Sequence, residues 1–275
     1  MPVPESDHAP PVTGTRLAQN GIFERAARAG FVVSGVLHLI IGYLAIRIAF
    51  GDGGTADQSG ALATVASNPG GHITLWFATV ALLMLGLWRL VETALGRSSD
   101  RKPDGGSSPG PLDRIKAFGL AVVYLALAYS AFGFARGAPK STGEQNSTIS
   151  ARLMQSGAGT VALVVCGVSI VAVGVYHVQK GASRNFLGDL KGKSGNVVRR
   201  LGMVGYIGKG VVIAGAGALV IVAALRAEPK KATGLDGALK TLGAQPYGPA
   251  LLVAAGVGII TYGLYSFAMA RLTRM

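Results

Sequence analysis

Long apolar blocks alternate with shorter polar stretches along the whole chain. A membrane hydrocarbon core about 30 Å thick needs roughly 20 apolar helical residues to cross it. Six blocks reach that length, at residues 30–50, 73–94, 115–136, 158–179, 203–225 and 249–270. The pattern therefore predicts an all-α membrane protein with six transmembrane helices.

Composition agrees with this prediction, because 50% of the 275 residues are hydrophobic, 14% are charged and the mean hydropathy is +0.45. Residues 1–24 are polar and lack the apolar core of a signal peptide, so they predict a disordered cytoplasmic tail. Residues 96–111 are rich in Gly, Ser and Pro and predict a flexible linker. One cysteine, Cys166, excludes an intrachain disulfide.

The net charge of +13 is unevenly distributed between the loops. Lys and Arg concentrate in the N-terminal tail, in loops 95–114 and 180–202, and at the C-terminus. By the positive-inside rule, both termini are cytoplasmic in the plasma membrane of a bacterial cell. The same basic residues favour anionic lipid headgroups on the cytoplasmic side. We expect no nucleic-acid partner, since no predicted segment outside the membrane is long enough to bind one.

The chain repeats itself. Gly35, Gly42 and Gly60-Ala61-Leu62 of the first hairpin correspond to Gly210, Gly217 and Gly237-Ala238-Leu239 of the last. A middle hairpin fits more weakly and lacks the Gly-Ala-Leu sequence. We therefore predict three tandem two-helix repeats at 25–95, 112–182 and 200–271, within one domain of residues 25–275. The repeats share one orientation, which predicts a pseudo-threefold axis along the membrane normal.

Small residues recur seven positions apart in every predicted span. Membrane helices associate closely where small residues let their backbones approach. The spacing follows a shallow crossing near +20°. The expected helix-packing glycines are Gly35, Gly42, Gly86, Gly167, Gly174, Gly210, Gly217, Gly256 and Gly263, with Thr79, Ala121 and Ala128 completing the pairs.

The loop after the first span reads Ala56-Asp57-Gln58-Ser59-Gly60-Ala61-Leu62, and Pro69 and Gly71 follow. Here Ser59 is expected to cap a short helix that continues to Ala66 and that Pro69 ends. Together with the seven-residue glycine spacing, this loop resembles the membrane proteins of domain of unknown function 1206. The resemblance covers residues 25–270. It implies a multi-pass membrane fold and supplies no activity.

Polar residues on the same helix faces are the candidate ligand-binding residues, because ionisable groups inside spans are costly and usually functional. In the second span of each repeat, the residue three positions after a packing glycine is polar: these residues are Arg89, His177 and Ser266. In the first span of the first repeat, His38 follows the packing glycine Gly35 by three positions. Lys209 lies one residue from its seam glycine. The set is His38, Arg89, His177, Lys209 and Ser266. It predicts a small cytoplasm-facing pocket for an anionic group.

Simpler interpretations remain open for each residue. Arg89 either joins that pocket, pairs with Glu92 or extends to the interface. For His38, the alternatives are an interhelical hydrogen bond and a ligand, and Lys209 either joins the pocket or extends to the interface. The aromatic residues Trp88, Tyr176 and Tyr265 are typical of the membrane interface.

No HExxH, Walker, GxSxG or Cys-x-x-Cys-His motif is present, so we expect no catalytic residue, cofactor or metal. An enzyme acting on lipid would need a nucleophile or metal site that the sequence does not offer. The favoured interpretation is a non-enzymatic structural or interaction protein with a membrane-protein partner. The alternative is a small transporter or channel with a basic pocket for an anion or lipid headgroup.

Overall fold

A computed structural model describes residues 13–95, 111–190 and 195–273. The described chain is helical almost throughout. Its α-helices are α1 (Thr13–Ala49), α2 (Gln58–Ala66), α3 (Gly71–Leu95), α4 (Pro111–Ala135), α5 (Thr142–Leu153), α6 (Gly157–Ala182), α7 (Asn196–Leu225), α8 (Leu235–Gly243) and α9 (Gly248–Leu272). Short 3₁₀ turns lie at Asn185–Asp189 and Pro229–Lys231.

Six of these helices are long and apolar enough to cross a membrane, and each overlaps a predicted span. Their apolar parts are Arg28–Ala49, Gly71–Val91, Ala117–Ala135, Gly157–Ala182, Asn196–Leu225 and Gly248–Leu272. The protein is therefore an all-α, multi-pass membrane protein, as the apolar blocks predicted.

The spans pack in three antiparallel pairs, which are α1 with α9, α3 with α4, and α6 with α7. In every case the second span of one repeat packs against the first span of the next. The third repeat returns to the first through α9 and α1. This cyclic order is the one that a pseudo-threefold arrangement of three repeats requires.

The small-residue seams lie inside these pairs. A methyl group added to Gly42 would lie 2.6 Å from the carbonyl oxygen of Gly256, and one on Gly35 would lie 3.0 Å from that of Gly263. Real Cβ contacts are longer, so these backbones meet only because glycine has no side chain. The α6–α7 pair repeats the geometry at Gly167–Gly217 and Gly174–Gly210.

The α3–α4 pair has the same register with fewer glycines. A methyl group on Gly86 would meet the Leu125 side chain at 2.8 Å. Thr79, Ala121 and Ala128 are buried at the equivalent positions. The Thr79 hydroxyl donates to its own helix, at the carbonyl of Leu75 over 2.8 Å. This seam therefore brings side chains rather than bare backbones together.

The three pairs are not equally integrated. Helices α7 and α9 pack closely, so α1, α9, α7 and α6 form a continuous set that we call the four-span body. The α3–α4 pair packs mainly on α2 and leaves large apolar side chains exposed on both helices. The two spans of the third repeat, α7 and α9, thus pack against each other, whereas the two spans of the first repeat and of the second repeat pack less closely.

Helices α2, α5 and α8 cover one end of the bundle, which we call the cap end. The expected cap of α2 was Ser59, and this was wrong by two positions. Asp57 is the N-cap, and its carboxylate accepts hydrogen bonds from the amides of Ser59 and Gly60. A carboxyl oxygen at this position accepts hydrogen bonds from the free amides of the first turn.

Helix α5 had no counterpart in the predicted elements. It begins after Ser141, whose side chain accepts a hydrogen bond from the Glu144 amide over 3.0 Å. Ser-x-x-Glu is the capping-box sequence, which was the available signal. Helix α5 reaches the third repeat, since the Asn146 side-chain amide donates to the Thr233 carbonyl over 3.4 Å.

At the opposite end, which we call the tail end, the 3₁₀ turn Asn185–Asp189 inserts the fully buried Phe186 beneath the start of α7. Gly202 makes room for this ring, because a methyl group there would clash with it.

Helix α1 already begins at Thr13, inside the segment 1–24 that was predicted to be a disordered tail. Residues 1–12 of that tail and 96–110 of the predicted linker lie outside the described residues.

Candidate functional site

The polar residues of the four-span body lie beside the seam glycines nearer the tail end. His38 follows Gly35 on α1 and His177 follows Gly174 on α6, each by three residues. The close approach at these glycines brings both imidazoles against the aromatic side chains of α7 and α9. The seams therefore build the site as well as the fold.

His38 is held by its own helix and by α9. Its Nδ1 lies 2.7 Å from the Ser34 carbonyl oxygen, and its ring centroid lies 4.8 Å from that of Tyr262. A carbonyl oxygen only accepts hydrogen bonds, so Nδ1 carries the proton. In the neutral ring, Nε2 then offers its lone pair.

His177 repeats this arrangement on α6. Its Nδ1 lies 2.8 Å from the Val173 carbonyl oxygen, and its ring centroid lies 5.8 Å from that of Tyr206. The same argument places the proton on Nδ1 and leaves Nε2 as an acceptor. Two imidazoles with the same tautomer therefore flank α7 and α9.

Lys209 of α7 lies between them. Its ammonium nitrogen is 3.9 Å from the centroid of the Tyr262 ring, and it lies within electrostatic range of both His38 and His177. Within the described part of the chain, no carboxylate forms an ion pair with it. The ring face of Tyr262 supplies a cation–π contact. The interpretation in which Lys209 joins the polar set is therefore the one the geometry favours.

A cluster of aromatic side chains, which the sequence did not predict, lies beside His38, His177 and Lys209 on the side of the tail end. It consists of Phe186, Tyr206, Tyr262 and Tyr265. Tyr265 is fully buried and its hydroxyl has no described hydrogen-bond partner. Its interpretation as an interfacial aromatic was therefore wrong, whereas Trp88 and Tyr176 are exposed as such residues are.

The remaining two candidates are placed differently. Ser266 is fully buried, and its hydroxyl donates to the Tyr262 carbonyl over 2.9 Å. This bond keeps the donor of Ser266 within α9. Arg89 lies on α3, which packs against α4 and α2 and not within the four-span body. The structure thus brings His38, Lys209 and His177 together and leaves Arg89 on another helix pair.

Chemically, the set offers one ammonium donor and two imidazole acceptors beside tyrosine rings. Such a set can bind an anionic head through Lys209 or accept protons at Nε2. The described residues contain no group of three or more His, Cys, Asp or Glu side chains arranged to hold a metal ion.

Fold and repeats define a class: a multi-pass α-helical membrane protein built from three tandem two-helix units. The chain belongs to the family described as Domain of Unknown Function (DUF1206), which matches residues 29–96, 115–184 and 204–273. These three matches confirm the three repeats.

The chain is also similar to "Uncharacterized protein YxxB" of Bacillus subtilis (strain 168). The two are 28% identical over 248 residues, which cover 88% of each chain. No solved structure matches the chain.

Proposed function

We propose that this is a non-enzymatic protein of the cell membrane that supports or assembles with another membrane protein. The observation that carries the proposal is the contrast between the closely packed four-span body and the exposed α3–α4 pair. Helix α3 presents Trp76, Phe77 and Trp88 outward, whereas the exposed side chains of α6 include several valines. Aromatic side chains are the residues enriched at protein interfaces.

The seams also favour a static platform over a transporter. Alternating access moves one group of helices against another around a central site. In the four-span body, glycine backbones meet at two levels in both the α1–α9 and the α6–α7 pair. Sliding these helices would force side chains into contacts that only glycine permits.

The proposed orientation places both termini and the tail end in the cytoplasm, and the cap end outside. The basic residues of loops 95–114 and 180–202 then face the anionic headgroups of the cytoplasmic leaflet.

Site-specific photo-crosslinking in cells tests the proposal. A benzophenone amino acid replaces Phe77 on α3 or Val122 on α4, and Val36 on α1 or Val165 on α6 serves as the matched control; all four positions are exposed. We expect a discrete protein adduct from the α3–α4 positions only, because that pair is the proposed interface. Lipid adducts alone at all four positions would contradict the proposal. An adduct with a second, differently tagged copy of this chain would show that the α3–α4 pair mediates self-assembly and does not bind a different protein.

Binding of an anionic lipid headgroup or small anion is the second candidate, and Lys209 favours it. A lysine near the middle of a membrane helix costs about 2.5–3.5 kcal/mol on insertion scales, and a bound anion offsets that cost. We expect phosphatidylglycerol to raise the melting temperature of the detergent-solubilised parent more than phosphatidylcholine does. The difference should disappear in Lys209→Met.

Lys140→Met is the matched control, because Lys140 is exposed at the cap end, between α4 and α5. Free phosphate distinguishes a small-anion site from a headgroup site. An equal effect of phosphatidylglycerol on the melting temperatures of the parent and of Lys209→Met would contradict anion binding at Lys209. The cation–π contact with Tyr262 would then be the role left for this lysine.

A further inference from the structure

Two carboxyl groups are buried together at the cap end, and neither belongs to the site near Lys209. Asp57 caps α2 in the first repeat and is 1% exposed, and Asp236 in α8 of the third repeat is 7% exposed. Asp236 Oδ1 accepts a hydrogen bond from the amide of Ala56, the residue before Asp57, over 2.9 Å. The two carboxyls therefore share one buried patch that joins the first repeat to the third.

The oxygen atoms of these carboxyls are not equally paired. Asp57 Oδ1 accepts from the Ser59 amide at 2.8 Å, the Ser59 hydroxyl at 2.5 Å and the Gly60 amide at 3.1 Å. Asp57 Oδ2 is buried and has no described hydrogen-bond partner. Asp236 Oδ2 pairs with Lys240 over 2.8 Å. A buried carboxylate oxygen without a donor is costly when ionised, whereas a carboxyl that holds a proton there is neutral.

We propose that Asp57 is a proton-binding site and that its proton controls a latch between the cap helices of the first and third repeats. With Asp57 protonated, the patch contains one carboxylate, Asp236, which Lys240 neutralises. With Asp57 ionised, the buried patch contains two carboxylates within electrostatic range of each other, and they repel. The inference is independent of the partner and ligand proposed above.

The other charged groups around α2 do not replace this proton. Arg47 of α1 pairs with Asp52 over 3.0 Å, and Arg136, directly after α4, lies over the Phe132 ring. His72 of α3 bonds the Ala135 carbonyl over 3.1 Å. From α8, the charged residues are Asp236 itself and Lys240. Arg47, Arg136 and His72 are thus engaged outside the patch, and Lys240 pairs with Asp236 within it.

Burial raises the pKa of the Asp57 carboxyl, the hydrogen bonds from Ser59 and Gly60 lower it in part, and the facing Asp236 raises it further. The folded protein therefore keeps a proton that the unfolded chain releases near its ordinary pKa of about 3.9. The stability linked to this proton is complete below the unfolded value. It is lost as the pH rises through the folded value.

Thermal unfolding of the full chain in nanodiscs tests the latch, over a pH range that begins below the ordinary pKa of an Asp carboxyl and ends at mildly alkaline pH. Asp57→Asn keeps the acceptor for the α2 amides and imitates the protonated carboxyl. We expect the melting temperature of the parent to fall by several degrees more than that of Asp57→Asn as the pH rises. Glu144→Gln, at an exposed carboxylate of α5, is the matched control and should follow the parent. Identical pH profiles for the parent and Asp57→Asn would overturn the proposal.

Infrared spectroscopy of the parent provides a second measurement that does not depend on how well Asp57→Asn folds. The carbonyl band of a protonated carboxyl should titrate with a midpoint above the ordinary value for Asp. Asp236→Asn should move that midpoint down, because it removes the facing charge. A spectrum without such a band above that ordinary value would also overturn the proposal.

Discussion

The α6–α7 and α3–α4 pairs share one register but differ in how they use it. In α6–α7, a glycine stands at each of four seam positions and the two backbones meet directly. In α3–α4, Gly86 is the one glycine at these positions, and its neighbour is the Leu125 side chain. The first pair belongs to a body that is also held at the tail end by Phe186, and the second projects from α2. The same seven-residue spacing can therefore give either a rigid helix–helix interface or one whose side chains can adjust.

Removing the Phe186 ring should have the largest effect and should separate the two regions. Phe186→Ala deletes a fully buried aromatic side chain, which typically costs about 3–5 kcal/mol. Hydrogen–deuterium exchange in detergent should rise in α7 and α9 and stay unchanged in α3 and α4. Phe118→Ala, at an exposed position of α4, is the control. Equal loss of protection in both regions would mean that they unfold as one unit.

A smaller change compares the seams themselves. Gly174→Ala places a methyl group 2.5 Å from the backbone nitrogen of Ala214, and overpacking of this kind costs about 1–3 kcal/mol. Gly86→Ala meets the end of the Leu125 side chain, which can rotate away, so its cost should be lower. The measurement is the free energy of unfolding in mixed micelles. A larger loss of unfolding free energy for Gly86→Ala than for Gly174→Ala would mean that the α3–α4 interface is the more rigid of the two.

The smallest effect is expected from the control for this pair. Gly215 lies on α7 between the seam glycines Gly210 and Gly217 and is exposed, with no atom within 4 Å of an added methyl group. Gly215→Ala should therefore stabilise the helix by roughly 0.5–1 kcal/mol. A loss of stability there would show that glycine content, and not seam position, determines the result.

Sequence spacing identified the seam faces but not their partners. A glycine seven residues from another marks a packing face on one helix, and nothing local states which helix it meets. The pairing of Gly42 with Gly256 depends on the whole arrangement of repeats. Helix α5 was missed because the search followed the Gly-Ala-Leu sequence, which α5 lacks, although Ser141 and Glu144 carried a capping signal.

The sequence predicted the ionisable residues of the candidate site but not its aromatic residues. His38, His177 and Lys209 were found because an ionisable residue inside an apolar block is conspicuous. Tyr206 and Tyr262 were not, because an aromatic residue in a membrane span has no distinctive pattern. Phe186 comes from a loop whose position only the tertiary fold determines.

The pairing of α1 with α9 has a consequence for biosynthesis. Spans enter the membrane in the order in which the ribosome makes them, so α3 meets α4 and α6 meets α7 soon after each is inserted. Of the six described spans, α1 enters the membrane first, yet its partner α9 is the one that is made last. Until α9 arrives, the glycine face of α1 and His38 stay in contact with lipid or with a membrane chaperone. Formation of the α1–α9 pair is thus a late event in biogenesis, because α1 has to remain unpaired until α9 is inserted.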